Sequence, residues 1–139
     1  MRQSLHRLHV ATQGKGLVDI TEPIRAWLGT QAIATGLLTI FCRHTSASLL
    51  IQENADPDVR KDLEAFFEKL ALEERGRYVH AVEGPDDMPA HIRAALTQTQ
   101  LSVPFESGRL LLGIWQGVYL FEHRRAPHRR EIVLHLLGD

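Results

Sequence analysis

From Leu101 to Leu137 the chain has no stretch with the apolar spacing of a helix. This all-β third is what most limits the folds open to the chain. "LSVPFE", a Ser107-Gly108 turn and "RLLLGIWQGVYLFEHRR" (109–125) suggest a hairpin, and Arg130 to Leu137 supplies a last strand. Earlier, "QSLHRLHVA" (3–11), "LVDI", "GLLTIFCRH" (36–44), "SASLLIQE" (46–53) and "RYVHAV" (77–82) also read as strands. A short helix from Pro23 to about Leu28, with Thr21 as its cap, lies among them. The clearest helix spans 57–72, where Val59, Leu63, Phe66, Phe67 and Leu70 form one apolar face and Asp56 precedes Pro57. A second runs from about Pro89 to Thr97. Strands in runs, with helices between only some of them, predict α+β with a mostly antiparallel, β-sandwich-like core and two main helices.

At 139 residues one domain is expected, covering 1–139. With a net charge of −1, nothing global argues for nucleic acid or an anionic membrane, and neither is expected as a partner. No apolar run approaches the roughly 20 residues a bilayer requires, and no secretory signal opens the chain, so the cytoplasm is the expected location. The single cysteine, Cys42, sits among apolar neighbours and reads as a small buried hydrophobe. Eight histidines are many for this length, and each is a potential metal ligand.

Three stretches could carry chemistry. In "HTSASLLIQENADPD" (44–58), Glu53, Asn54, Asp56 and Asp58 could converge on a hard cation. Helix capping alone explains Asp56 and Asp58, but not Glu53 and Asn54. In "HAVEGPDDMPAHIRA" (80–94), His80 at a strand end and His91 in a helix's first turn could share one ion, with Glu83, Asp86 and Asp87 beside them. Capping and solvated polar groups are the alternative. In "LGIWQGVYLFEHRRAPHRREIVLHL", read as a C-terminal hairpin, Gln116, Val118, Leu120, Glu122 and Arg124 share one strand face. That face is either a pocket wall with Glu122 as ligand or base, or a strand crossing from core to rim. Arg124, Arg125, His128, Arg129 and Arg130 at the hairpin tip form either an anion site or a solvated basic turn. There is no glycine-rich phosphate loop, no HExxH and no CxxC, and nothing resembles the nucleophile elbow of a serine hydrolase.

Taken together, "HTSASLLIQENADPDVRKDL" (44–63), "HAVEGPDDMPAHIRAAL" (80–96) and "GRLLLGIWQGVYLFEHR" (108–124) resemble the YjbQ-like family, also called secondary thiamine-phosphate synthase. The resemblance covers nearly the whole chain. It implies a homotrimer and a divalent metal, zinc or magnesium, held by His44, His80 and His91. It also implies catalytic roles for Glu53, Asn54 and Glu122. Contacts to a small phosphorylated ligand fall to Ser46, Asp56, Asp87, Trp115, Gln116, Arg124 and Arg129. The implied reaction joins a pyrimidine diphosphate to a thiazole phosphate and releases pyrophosphate. A metal-assisted hydrolase and a non-enzymatic metal- or ligand-binding trimer are the competing readings. The chain departs from the family pattern in its longer "EGPDDMPA" segment, which leaves open whether Glu83, Asp86 or Asp87 reaches the site, and in "TQTQLSV" before the next strand.

Overall fold

The computed structural model describes residues 1–139. Eight strands and three helices follow in the order β1 (Arg2–Thr12), β2 (Gly16–Asp19), α1 (Thr21–Gly29), β3 (Gly36–Cys42), β4 (Ala47–Glu53), α2 (Pro57–Leu70), α3 (Asp87–Leu96), β5 (Gln100–Glu106), β6 (Arg109–Leu110), β7 (Gln116–Glu122) and β8 (His128–Gly138). They form a five-stranded sheet in the order β1-β8-β3-β5-β6 and a three-stranded sheet in the order β2-β7-β4. Every pairing is antiparallel. The architecture is α+β, as the distribution of strand patterns predicts.

The alternation of side chains builds the core. Leu38 and Ile40 of β3, Val103 and Phe105 of β5, and Ile132, Leu134 and Leu136 of β8 face Leu49 of β4 and Val118 and Leu120 of β7 across the two sheets. Ile24 and Leu28 of α1 close the same cluster. β3 and β8 meet very tightly at Gly36 and Gly138: a Cβ on either residue would collide with backbone of the other strand's end, so both positions require glycine for want of space.

Helix α2 begins as its sequence dictates, with Asp56 accepting a hydrogen bond from Asp58 N and proline in the first turn. Its apolar face is narrower than the spacing predicts. Leu63 and Phe67 pack on Leu17, Tyr119 and Phe121 of the three-stranded sheet, whereas Phe66 and Leu70 are more than half exposed. Two further expectations give way. Residues 77–82 form an irregular loop, with Val79 and Val82 almost wholly exposed, because no strand lies alongside to pair with them. β7 and β8 belong to different sheets, so 123–127 crosses between layers and is no hairpin tip. The outer face of the five-stranded sheet carries no helix and exposes Leu5, Leu37, Phe41 and Leu137. No helix is long and apolar enough to cross a membrane.

Candidate metal centre

α3 starts at Asp87, and one helical turn places Asp87 and His91 on the same side. The 71–86 loop returns His80 to that side. Asp87 Oδ2 lies 2.6 Å from His80 Nε2 and 3.1 Å from His91 Nε2. The two imidazole rings stand edge to face with centroids 5.6 Å apart. One donor atom from each of the three residues falls within 4.8 Å of the other two, a spacing that suits one cation.

The groups behind these three hold them in place. Arg124 Nη1 donates to Asp87 Oδ1 at 2.7 Å, its Nε donates to Asp86 Oδ2 at 3.1 Å, and its Nη2 donates to Glu83 O at 2.9 Å. Asp86 Oδ2 also accepts from Arg125 N. Burial by itself would raise the Asp87 pKa, but His80, His91 and Arg124 outweigh it and hold the carboxyl below its usual range. Asp86 behaves in the same way, with the Arg125 amide and Arg124 outweighing its burial.

His91 has its tautomer fixed. Its Nδ1 lies 2.9 Å from the Thr45 carbonyl, which can only accept, so Nδ1 carries a proton. In the neutral ring Nε2 is then a lone pair aimed at a carboxylate oxygen. That contact is repulsive unless a proton or a cation lies between them. A histidine that donates one ring N–H to a backbone carbonyl and turns its other nitrogen toward an acidic partner is arranged as metal-ligating histidines are.

The other expected site residues fall elsewhere. His44 does not join the trio. Its Nε2 accepts from Glu131 N at 2.8 Å, and burial together with nearby Arg130 lowers its pKa, so Asp87 occupies the third corner. Glu122 is fully buried, with Oε1 accepting from Thr12 Oγ1 and Arg130 Nε and Oε2 from Arg130 Nη2, His123 N and Arg124 N. No lone pair is left for a substrate. Ser46 Oγ is taken up by Arg130. β4 runs from Ala47 to Glu53, so the "ENADPD" acids stand about 20 Å from its His44 end. There, Glu53 Oε2 accepts from Ala55 N and Asp56 N, Asn54 donates to Ile114 O and Gln116 O, and Asp56 caps α2. Gln116 Oε1 accepts from Gly113 N, and Trp115 projects into solvent. These residues close a turn and brace a loop. Of the basic cluster, Arg124 serves Asp87, Arg130 serves Glu122, Arg125 pairs with Glu73, and Arg129 is exposed. His123, buried one residue beyond the end of β7, was not singled out by sequence reasoning, although its continuation of the Tyr119–Phe121 face was a usable signal.

The chain is thus a two-sheet antiparallel α+β domain with a histidine–aspartate–histidine cluster where a loop meets a helix. The chain belongs to the UPF0047 YjbQ-like family, whose model matches residues 6–139. It is similar to UPF0047 protein sll1880 of Synechocystis, with 54% identity over 99% of this chain and 94% of that protein. UPF0047 protein YjbQ of Escherichia coli O157:H7 is 39% identical over 95% of this chain and 96% of its own length. Among solved structures, the conserved hypothetical protein TT1486 from Thermus thermophilus superposes with a TM-score of 0.84 at 39% identity, covering 95% of this chain and 99% of its own.

Proposed function

We propose that the chain is a divalent-metal-dependent enzyme acting on small phosphorylated molecules, with His80, Asp87 and His91 as its metal ligands. The orientation of His91, with Nδ1–H given to Thr45 O and the Nε2 lone pair turned toward Asp87, is the observation that carries this reading. Three protein ligands leave coordination positions open, the arrangement of a catalytic site and not of a closed structural one. His80 and His91 are 38% and 32% exposed at their side chains, so the open side faces solvent. His80 also lines a cavity of about 270 Å³ with Arg75, Tyr78 and Gly84. A divalent ion there supplies Lewis acidity toward a phosphoryl oxygen and a lowered pKa for bound water. Arg75, exposed on the cavity rim, is placed to pair with phosphate, and Arg124 keeps Asp87 ionised and aimed. Displacement of pyrophosphate from a pyrimidine diphosphate by a thiazole phosphate, the reaction implied by the family resemblance, asks for this combination of cation and arginine. The open positions also favour a second reading, hydrolysis by metal-activated water.

Calorimetric titration with Zn²⁺ and Mg²⁺ tests the centre. One Zn²⁺ per chain is expected, and His80→Ala and His91→Ala should each weaken binding by more than the roughly 10–100-fold that outer contacts are worth. No tight binding of either ion by the wild type would end the metal reading. Turnover of the two thiamine precursors by the loaded protein distinguishes condensation from hydrolysis of the diphosphate alone.

We also propose that copies of the chain associate into a homotrimer. The helix-free outer sheet face with Leu5, Leu37, Phe41 and Leu137, and the outward Phe66 and Leu70, leave apolar surface to be covered. Light scattering of the eluted protein should give three times 15.7 kDa; a monomer mass at micromolar concentration would refute this.

A further inference from the structure

The chain between α2 and α3, residues 71–86, is tied down at its two ends. At the first, Arg93 Nη2 donates to Ala71 O at 2.7 Å and Lys15 Nζ donates to Glu73 Oε1 at 3.1 Å. At the second, Asp86 Oδ2 accepts from Arg124 Nε and Arg125 N, and Gly84 O accepts from Asp87 N as α3 begins.

The middle is held differently. Residues 78–83 make no backbone-to-backbone hydrogen bond, either as donor or as acceptor. Val79 and Val82 are almost wholly exposed, so neither side chain anchors the stretch to a core. Gly76 and Gly84 frame it at φ of +80° and +103°, backbone that favours glycine. Tyr78 Oη donates to Leu72 O at 2.7 Å, a bond that stays within the loop. Arg124 Nη2 donates to Glu83 O at 2.9 Å, next to Gly84. The 2.6 Å contact of His80 Nε2 with Asp87 Oδ2 is what ties the centre of the stretch to a helix. Fixing each backbone residue costs conformational entropy, and one hydrogen bond from a side chain that is 38% exposed offsets little of it. Unbonded backbone and few buried apolar contacts mark the segments of a fold that open most readily.

The 270 Å³ cavity beside His80 depends on this stretch. All 8 of its lining residues, Arg75, Tyr78 and His80 among them, come from 74–85, and neither a sheet nor a helix contributes a wall. The cavity is therefore present only while the loop keeps this conformation. His80 lines the cavity and is also the one member of the histidine–aspartate–histidine cluster that the loop carries, since Asp87 and His91 belong to α3.

We propose, on the reading that His80, Asp87 and His91 hold a divalent cation, that residues 77–83 are a strap which that cation closes. An ion shared between His80 and the two α3 ligands binds the closed strap and not the open one, and so stabilises the closed form by mass action. The same event fixes the cavity walls. The metal therefore binds first and the phosphorylated ligand second.

Limited trypsin digestion of the full chain with and without Zn²⁺ tests the strap, with cleavage sites read by mass spectrometry and zinc occupancy by calorimetry on the same samples. Arg75 and Arg77 are exposed, and cleavage after either requires the neighbouring residues to leave the closed conformation. In the chelator-treated chain both bonds should be cut readily. With free Zn²⁺ at about a hundred times its Kd, cutting should slow by about a hundredfold, because cleavage tracks the open population when opening is fast. Trypsin's rate on a free peptide corrects for any action of zinc on the protease. His80→Ala, brought to saturation at the higher Zn²⁺ that its weaker site requires, should keep the fast cleavage of the chelated wild type. Zinc binding by the wild type with no change in cleavage would overturn the strap and leave the metal centre standing. Protection of saturated His80→Ala, or a loop that resists trypsin without metal, would do the same. No zinc binding by the wild type would end both.

Discussion

Arg130→Met should destabilise the protein by about 3–5 kcal/mol, the usual cost of breaking a buried ion pair from one side. Urea unfolding would show it as a lower midpoint with an unchanged slope. Glu122 has no exposed surface, and Arg130 reaches it twice, from Nε at 2.8 Å and from Nη2 at 2.5 Å. Burial alone would raise the Glu122 pKa, but the Arg130 and Thr12 bonds outweigh it and keep the carboxyl ionised. Removing the guanidinium strands that charge between the sheets, with only the Thr12 hydroxyl and two backbone amides to hold it. The double variant Glu122→Leu/Arg130→Met removes the stranded charge as well as the pair. Its loss should be clearly smaller than the sum of the two single variants. A single-variant cost under about 1 kcal/mol would mean that water reaches Glu122, and would reopen a catalytic role for it. The expected result instead makes the pair a clamp: it ties the end of β7 to β8 where the chain crosses between sheets, just ahead of the Arg124 that aims Asp87.

The strands were readable wherever the alternation of side chains matched a partner strand, as in "GLLTIFC" and in β7, whose Val118 and Leu120 face the core. "RYVHAV" also carries β-branched and aromatic residues but has no partner, and composition carries no information about neighbours. β7 and β8 looked like a hairpin for the same reason. The charges Glu122 and Arg130, set at the ends of apolar runs, marked instead where the chain leaves one sheet for the other. At the centre, His80 and His91 stood out by type, and Asp87 by its one-turn spacing from His91. His44 stood out equally, yet its side chain turns away to the Glu131 amide while its neighbour Thr45 supplies the carbonyl that orients His91. Sequence proximity located the segment and not the direction of the ring. The acids of "ENADPD" form a tight turn and a cap, a use that needs no ligand and leaves no oxygen arrangement distinct from a cation loop in the sequence alone.

Acidification from pH 6.5 to 4.5 should remove about 2–3 kcal/mol of stability, and His123→Phe should flatten most of that slope. His123 sits at a pKa of about 3 in the folded chain against 6.5 for the free side chain, because burial and then Arg93 oppose its charge. Between those values the unfolded chain binds one more proton than the folded one. Unfolding free energy therefore rises with pH by about 1.4 kcal/mol per unit across the window, and falls on acidification. Carried down to pH 3 the loss from this one residue would be about 4 kcal/mol, a large part of a small domain's stability. His44, whose pKa is also lowered, contributes with the same sign. The depressed carboxyls of Asp86, Asp87 and Glu122 act lower, since their contribution is complete above the unfolded carboxyl range near pH 4 and is lost only as pH falls below it. The upper part of the interval, from 6.5 to about 5.5, therefore isolates the histidines, and urea titrations at half-unit steps would resolve the slope. An unchanged slope in His123→Phe would mean that the imidazole takes up its proton in the folded protein. A buried imidazolium beside Arg93 would then have to be held by Glu122 and by its bond to Ser48.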